Sequence, residues 1–275
     1  MNVTVLVENT TGNPLCNVEH GLSFYIETAA HRLLFDTGAS SLLAENAAAL
    51  QIDLSNVDTV VLSHGHYDHG GGLPYLLDRA ESARFFIPKE AFGSYWSIHK
   101  DGPHYIGLDQ TLKDSRKLTV ISGYARIDET LELFSEIRAE APVPFANRRL
   151  MIKTGNSFQP DPFTHEQCLV IRENNALYLF SGCAHHGIDN ILTRFHELYG
   201  CDPAAVFGGF HMMKRSAYTI DEEAQIIHTA KTLSACDTVF YTCHCTGEAA
   251  YDLMKPILRE KLQYLHCGNI VKLKQ

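Results

Sequence analysis

Apolar positions along this chain come in short runs that close on polar or glycine-bearing ends, and the runs alternate with stretches of helical spacing. Residues 3–8, 24–27 and 33–38 read as strands, the last ending in Asp36-Thr37-Gly38, with turns at 9–14 and 29–32. Residues 40–50 are rich in alanine and leucine at helical spacing, and 59–62 form the unbroken apolar run of a buried strand. A helix opens at Gly72 with Leu73, Leu76 and Leu77 on one face, and residues 83–87 return as a strand. Residues 118–121 and 124–128 read as a strand pair across Gly123, and 131–138 continue that sheet. Residues 168–172 and 177–181 predict a hairpin across Asn174-Asn175, followed by a helix to about residue 199. Strands at 204–207 and 238–242 each lead towards a helix. The first of these helices is capped by Asp221 and runs to 234, the second ends near 258, and a last strand falls at 269–273.

Two stretches break this rhythm. Residues 92–118 carry Tyr95, Trp96, His99, His104 and Tyr105 among Gly, Pro, Asp and Lys. A loop this long and aromatic reads either as a lid over a site or as a surface excursion covering part of the core. Residues 142–165 are proline-rich and irregular, a second loop near the site. No repeat or linker divides the chain, so residues 1–275 read as one domain. Hairpins mixed with strand–helix alternation predict an α/β fold of αββα type, with two mixed sheets packed face to face and helices outside. Polar strand ends at 36, 64, 183, 211 and 244 would then gather on one edge.

The chemistry is concentrated after the run at 59–62. In Ser63-His64-Gly65-His66-Tyr67-Asp68-His69-Gly70, three imidazoles and a carboxylate follow a buried strand directly. Alternate residues of an extended chain share a face, so His64 and His66 point the same way. Asp68 and His69 fall where the chain turns into Gly70-Gly71-Gly72 and face a second position close by. Imidazoles with one carboxylate suit zinc, and also iron or manganese. So many ligands in so short a span point to two divalent ions.

Composition narrows the alternatives. The net charge is −9 over 275 residues with no basic stripe, which disfavours nucleic acid as a partner. No apolar run approaches the length that spans a bilayer. The first residues read as a strand and not as a signal peptide, and eight cysteines without a CxxC pair then read as reduced thiols of a cytoplasmic protein. A small-molecule substrate, phosphorylated or not, fits this picture, and a homo-oligomer is compatible with it.

The His-x-His-x-Asp-His stretch after an apolar strand is the signature of the metallo-β-lactamase superfamily, which the chain resembles over nearly its whole length. Four further motifs point to one branch: Glu19-His20-Gly21-Leu22-Ser23, the stretch from Gly182-Cys183-Ala184-His185-His186-Gly187 to Ile191, Gly208-Gly209-Phe210-His211, and His244-Cys245-Thr246-Gly247. Together they are similar to the branch containing the archaeal dihydropterin ribofuranosylaminobenzene phosphate synthase and many bacterial metal-dependent hydrolases. The resemblance implies that His64, His66 and one further histidine hold one ion, and that Asp68, His69 and His244 hold the other. His185 is preferred for the further histidine. His165, just before a strand, competes for it, or else orients ligands together with Glu166.

The superfamily's bridging acid is where this sequence departs. The matching strand ends in Gly182-Cys183 instead of Gly-Asp. Cys183 either substitutes for the acid or packs as a buried thiol, and packing is the commoner fate of a lone cysteine. Cys243 and Cys245 read as buried thiols pointing away from His244. Asp36 is expected to support the motif by hydrogen bonding. The activity implied is hydrolysis of a small ester, phosphoester or lactone by a metal-activated hydroxide, with Asp68, His20 and His211 in catalytic roles. Lys214 and Arg215 either meet an anionic substrate group or are surface charge. The alternatives are a condensing synthase acting on a pterin or phosphosugar, and a metal-binding sensor without turnover.

Overall fold

The computed structural model describes residues 1–273. One seven-stranded sheet runs in the spatial order Ile270–Lys272, Asn2–Val7, Ser23–Glu27, Arg32–Phe35, Thr59–Val61, Arg84–Pro88, Leu118–Ile121. A second runs Leu262–Tyr264, Val239–Thr242, Ala205–Gly208, Ala176–Phe180, Cys168–Glu173, Leu131–Phe134, Ala125–Arg126. Each sheet is antiparallel on one side and parallel on the other. Among the parallel strands, Thr59–Val61 and Ala205–Gly208 are buried at every position, because both of their faces are covered.

The sheets meet face to face over a core that includes Phe24, Phe35, Phe180 and Phe207. Phe180 and Phe207 stack at 4.8 Å, and Phe24 meets both edge-on. Burying each such ring contributes roughly 1.5–3 kcal/mol. The helices Leu42–Ala49 and Leu73–Arg79 cover the outer face of the first sheet, with Leu73, Leu76 and Leu77 buried as their spacing predicts. The helices Ile188–Tyr199, Ile220–Ser234 and Glu248–Leu258 cover the second. These layers are the expected αββα sandwich. No helix among the described residues is long and apolar enough to cross a membrane.

Several local expectations change. Leu118–Ile121 and Ala125–Arg126 do not pair. The first joins Arg84–Pro88 and the second joins Leu131–Phe134 in the other sheet, so the chain crosses the sandwich at Gly123, whose φ is +70°. Two neighbouring apolar runs look the same whether they pair or part. The stretches read as loops carry strands. Tyr95–His99, Gly102–Tyr105, Leu150–Thr154 and Ser157–Pro160 form two hairpins joined into a four-stranded sheet. Their polar and aromatic sequences hid them because this small sheet buries little. Thr219, and not Asp221, caps the helix Ile220–Ser234, in a reciprocal capping box with Glu222. The hairpin across Asn174-Asn175 is as expected, with both asparagines left-handed, at φ 52° and 61°.

The glycine run after the histidine motif is a site of contact and not of flexibility. Gly71 donates to the Gly38 carbonyl at 2.8 Å, and a Cβ on Gly71 would overlap the Ala39 carbonyl oxygen. The 37–40 loop is clamped in turn by Glu19, which accepts from Ala39 N and Ser40 Oγ. Gly71→Ala is therefore expected to lower stability by about 1–3 kcal/mol, read as a lower midpoint of chemical denaturation at unchanged slope.

Candidate metal centre

Six strands end at one edge of the sandwich, and the residue after each carboxyl end carries the site. Glu8 and Asn9 follow the first strand, Asp36 the third, and Ser63 to His69 the strand Thr59–Val61. Cys183 and His185 follow Ala176–Phe180, His211 follows Ala205–Gly208, and His244 follows Val239–Thr242. The expected gathering of strand ends is present.

The histidine motif is held by Asp36, which is fully buried. Its carboxylate accepts from Ser63 N, from Ser63 Oγ and from His69 Nδ1, each at 2.7 Å. Ser63 Oγ spends its proton on Asp36, so it accepts from His64 Nδ1 at 2.8 Å. That leaves the lone pair of His64 on Nε2. The rings of His64 and His66 converge at 4.6 Å, as alternate residues on one face should.

His185 reaches the same place from the other sheet. Its Nε2 stands 3.3 Å from His64 Nε2. Asn147 donates its amide to the His185 carbonyl at 2.7 Å, so its Oδ1 accepts from His185 Nδ1 at 3.0 Å. His244 is held by the same device: Asn9 donates to the His244 carbonyl at 3.1 Å and accepts from His244 Nδ1 at 3.0 Å. In both histidines Nε2 is left as a lone pair facing inward. His66 Nε2 and His244 Nε2 are buried and have no hydrogen-bond partner.

His165 lies close to this group but is committed. Its Nδ1 accepts from Gly65 N at 2.9 Å and its Nε2 donates to Asp161 Oδ2 at 3.2 Å. Both nitrogens are used, although His66, Asp161 and His165 offer ligand-type atoms within 4.8 Å of one another. Glu166 accepts from His185 N, His186 N and His186 Nδ1, fixing the turn that carries His185.

Around Asp68 the second group assembles. Asp68 Oδ2 is 3.3 Å from His20 Nε2, 3.4 Å from His244 Nε2 and 3.9 Å from His69 Nε2. His69 Nε2 is also 3.1 Å from Cys183 Sγ. The electrostatics of the two groups differ. Burial holds His64, His66 and His185 far below the ordinary histidine value, His66 at about 3, so all three are neutral bases at pH 7. Burial also opposes charge on His69, but Asp36 and Asp68 outweigh it and raise His69 to about 9. Asp68 is held well below the carboxylate range because charged His69 and the hydrogen bond from His20 overcome its burial. A cation bound at His69 Nε2 would displace that proton.

The cysteines behave differently from one another. Cys243 is packed into the core between the sheets. Cys245 does not continue the alternation expected of it, because His244 is left-handed at φ 50° and turns the chain. Its Sγ accepts from His211 N at 3.3 Å and lines the site. The His211 ring lies 4.2 Å from that of His185, tilted by 56°. A cavity of about 280 Å³ opens over the centre, walled by His20, Asp68, His211 and, from the small sheet, Ser97 and His99. It shares His20, His99, Met213 and Arg215 with a 700 Å³ cavity that gathers Arg148, Arg149, Lys214 and Arg215. Lys214 is tied to Glu222 at 2.6 Å, while Arg149 and Arg215 have no ion pair among the described residues.

The asparagine clamps escaped the sequence reading. Asn9 sits in a stretch with turn composition and Asn147 in an irregular one, and only folding brings them to His244 and His185. A polar pair directly after the first strand, Glu8-Asn9, was the one available signal, since Glu8 also accepts from His244 N at 2.7 Å.

The family model described as the metallo-beta-lactamase superfamily matches residues 16–224. A Methanocaldococcus jannaschii protein named 7,8-dihydropterin-6-methyl-4-(beta-D-ribofuranosyl)-aminobenzene-5'-phosphate synthase is 28% identical, covering 92% of this chain and 90% of its own. An uncharacterized protein of the same organism is 27% identical over 98% of this chain and 99% of its own. The crystal structure of Tm1679, described as a metal-dependent hydrolase of the beta-lactamase superfamily, is 31% identical, covers all of both chains and superposes with a TM-score of 0.81. With its αββα layers and its histidine-rich edge, the chain belongs to the metallo-beta-lactamase superfamily.

Proposed function

We propose that the chain is a binuclear metal-dependent hydrolase that activates water for attack on a small ester, phosphoester or lactone. In this reading His64, His66 and His185 hold one divalent ion, and Asp68, His69 and His244 hold the other. The donor set suits zinc first, then iron or manganese. The observation that carries the reading is the His64 and His185 pair, whose Nε2 atoms face each other at 3.3 Å with both Nδ1 protons committed elsewhere. Two bare lone pairs at that distance repel, and a shared cation turns the repulsion into binding. Two nitrogens on a tetrahedral zinc at about 2.0–2.1 Å also stand roughly 3.3 Å apart. The unpartnered Nε2 atoms of His66 and His244 add two further buried donors.

Bound there, the ions would polarise a substrate oxygen and bring the pKa of a coordinated water to about 7. Asp68, ringed by three imidazoles, would take and relay the proton of such a water. His20 stands half exposed at the mouth, and its hydrogen bond to Asp68 raises its pKa, which keeps it protonated further up the pH scale. That is the state a general acid needs towards a leaving group. His211 lines the same cavity and is the second proton donor or oxyanion contact.

A second reading, a synthase acting on a phosphorylated substrate, is favoured by the M. jannaschii synthase relative and by the cationic cavity beside the centre. Arg149 and Arg215 suit a phosphate held away from the reacting bond. Pterin-dependent product formation separates this reading from hydrolysis.

Purified protein is expected to hold two transition-metal ions per chain by mass spectrometry. His66→Ala is expected to lose metal and to cut hydrolysis of generic phosphodiesters and esters by more than roughly 100-fold. Protein that takes up no metal, or a His66→Ala variant as active as the parent, overturns the reading. Asn147→Ala and Asn9→Ala are each expected to weaken metal affinity by roughly 10–100-fold, measured by competition with a chromophoric chelator. Replacing Arg149 and Arg215 together with alanine is expected to raise KM for phosphorylated esters, relative to neutral ones, by at least about tenfold.

A further inference from the structure

We propose that Cys183 supplies a thiolate bridging the two metal ions, in the place where the superfamily's strand usually ends in Gly-Asp. The inference rests on the two-metal reading above and adds a ligand to it. A packing thiol should sit among apolar side chains. Cys168 and Cys243 do so, each within a hydrophobic cluster, whereas Cys183 belongs to none of the three clusters, although it is only 3% exposed. What surrounds its sulfur is metal-ligating chemistry. Cys183 Sγ lies within 4.8 Å of the ligand atoms of His64 and His185 on one side, and of His69 and His244 on the other. It is the one atom common to both histidine groups. Its contact with His69 Nε2 is 3.1 Å. The buried, unpartnered Nε2 of His244 belongs to the same group.

The backbone is built to deliver this sulfur. A side chain at Gly182 would overlap Ser63, so glycine there lets the end of Ala176–Phe180 lie directly against the histidine motif. Ala184 is left-handed at φ 55°, turning the chain so that Cys183 and His185 both enter the centre. Cys245 is the competing sulfur, since it shares a 4.8 Å cluster with Cys183 and His211. It is already committed: its Sγ accepts from His211 N and donates to the Cys183 carbonyl at 3.6 Å. Cys183 Sγ instead meets a side chain of the centre, His69 Nε2 at 3.1 Å.

Coordination releases the thiol proton to solvent, and the resulting sulfur carries lone pairs enough for two ions. A thiolate is a softer donor than the carboxylate it replaces. It therefore biases the centre towards zinc or iron and away from manganese or magnesium.

Zinc-loaded protein, studied by X-ray absorption at the zinc edge, tests this without reference to turnover. The expected result is a sulfur shell at about 2.3 Å beside nitrogen and oxygen at about 2.0–2.1 Å, with two zinc ions per chain. Cys183→Ala should lose the sulfur shell and bind zinc at least roughly tenfold more weakly, while Cys245→Ala keeps the shell. Cys183→Asp should hold two ions through nitrogen and oxygen alone and gain relative affinity for manganese. Two zinc ions with no sulfur shell overturn the bridge and leave the two-metal reading standing. So does a shell that survives Cys183→Ala. One ion bound with sulfur also overturns the bridge, and no zinc uptake overturns both. The wild-type spectrum is decisive even where a variant fails to fold.

Discussion

A single buried carboxylate governs this centre. Asp36 has no solvent contact and adopts a left-handed backbone at φ 59°. A carboxylate in such surroundings is costly unless its oxygens are satisfied. Here three donors satisfy it, two from Ser63 and one from His69. Through Ser63 it orients His64, and directly it orients His69, so one side chain sets an imidazole in each of the two groups. The neighbouring loop is closed around it by Glu19 and by the tight approach of Gly71 to residues 38 and 39.

The remaining histidines are set from the opposite side of the sandwich by a repeated device. Asn147 grips His185, and Asn9 grips His244, each through the histidine's own carbonyl and its Nδ1. Glu166 and Glu8 add backbone contacts to the same two turns. Gln167 spans the sheets, donating to the Ser63 and Leu62 carbonyls at 2.8 Å. Every imidazole that faces inward thus has its outer nitrogen or its backbone held. Ligands fixed before an ion arrives bind it with little loss of side-chain freedom.

Electrostatics divides the site by task. The centre sets the neutral imidazoles of His64, His66 and His185 beside a second group in which charged His69 meets Asp68, while the adjoining cavity gathers four cations and Glu222 on a chain whose net charge is −9. Under the proposed function, cationic side chains beside the centre would attract an anionic substrate and orient it by its charged end. The small sheet built from the two hairpins contributes Ser97 and His99 to the wall of the same opening.

Much of this was legible along the chain. The layers followed from apolar runs and helical spacing, and the His64–His69 motif declared its chemistry because all its parts are neighbours in sequence. Asp36, His185 and His244 were legible as polar residues closing buried strands. The sequence preferred His185 to His165 without settling the choice, because that depends on hydrogen bonds made on folding: His165 Nδ1 accepts from Gly65 N and its Nε2 donates to Asp161. Nor could it pair Asn9 with His244 across 235 residues, separate the strands on either side of Gly123, or distinguish Cys183 from the packed cysteines. Sequence by itself determined which residue types meet the end of each strand, since burial and periodicity are local. Tertiary structure alone decided which of those ends share a centre and which of their nitrogens and sulfurs stay unspent, since hydrogen bonds between distant segments are made only when the sheets close.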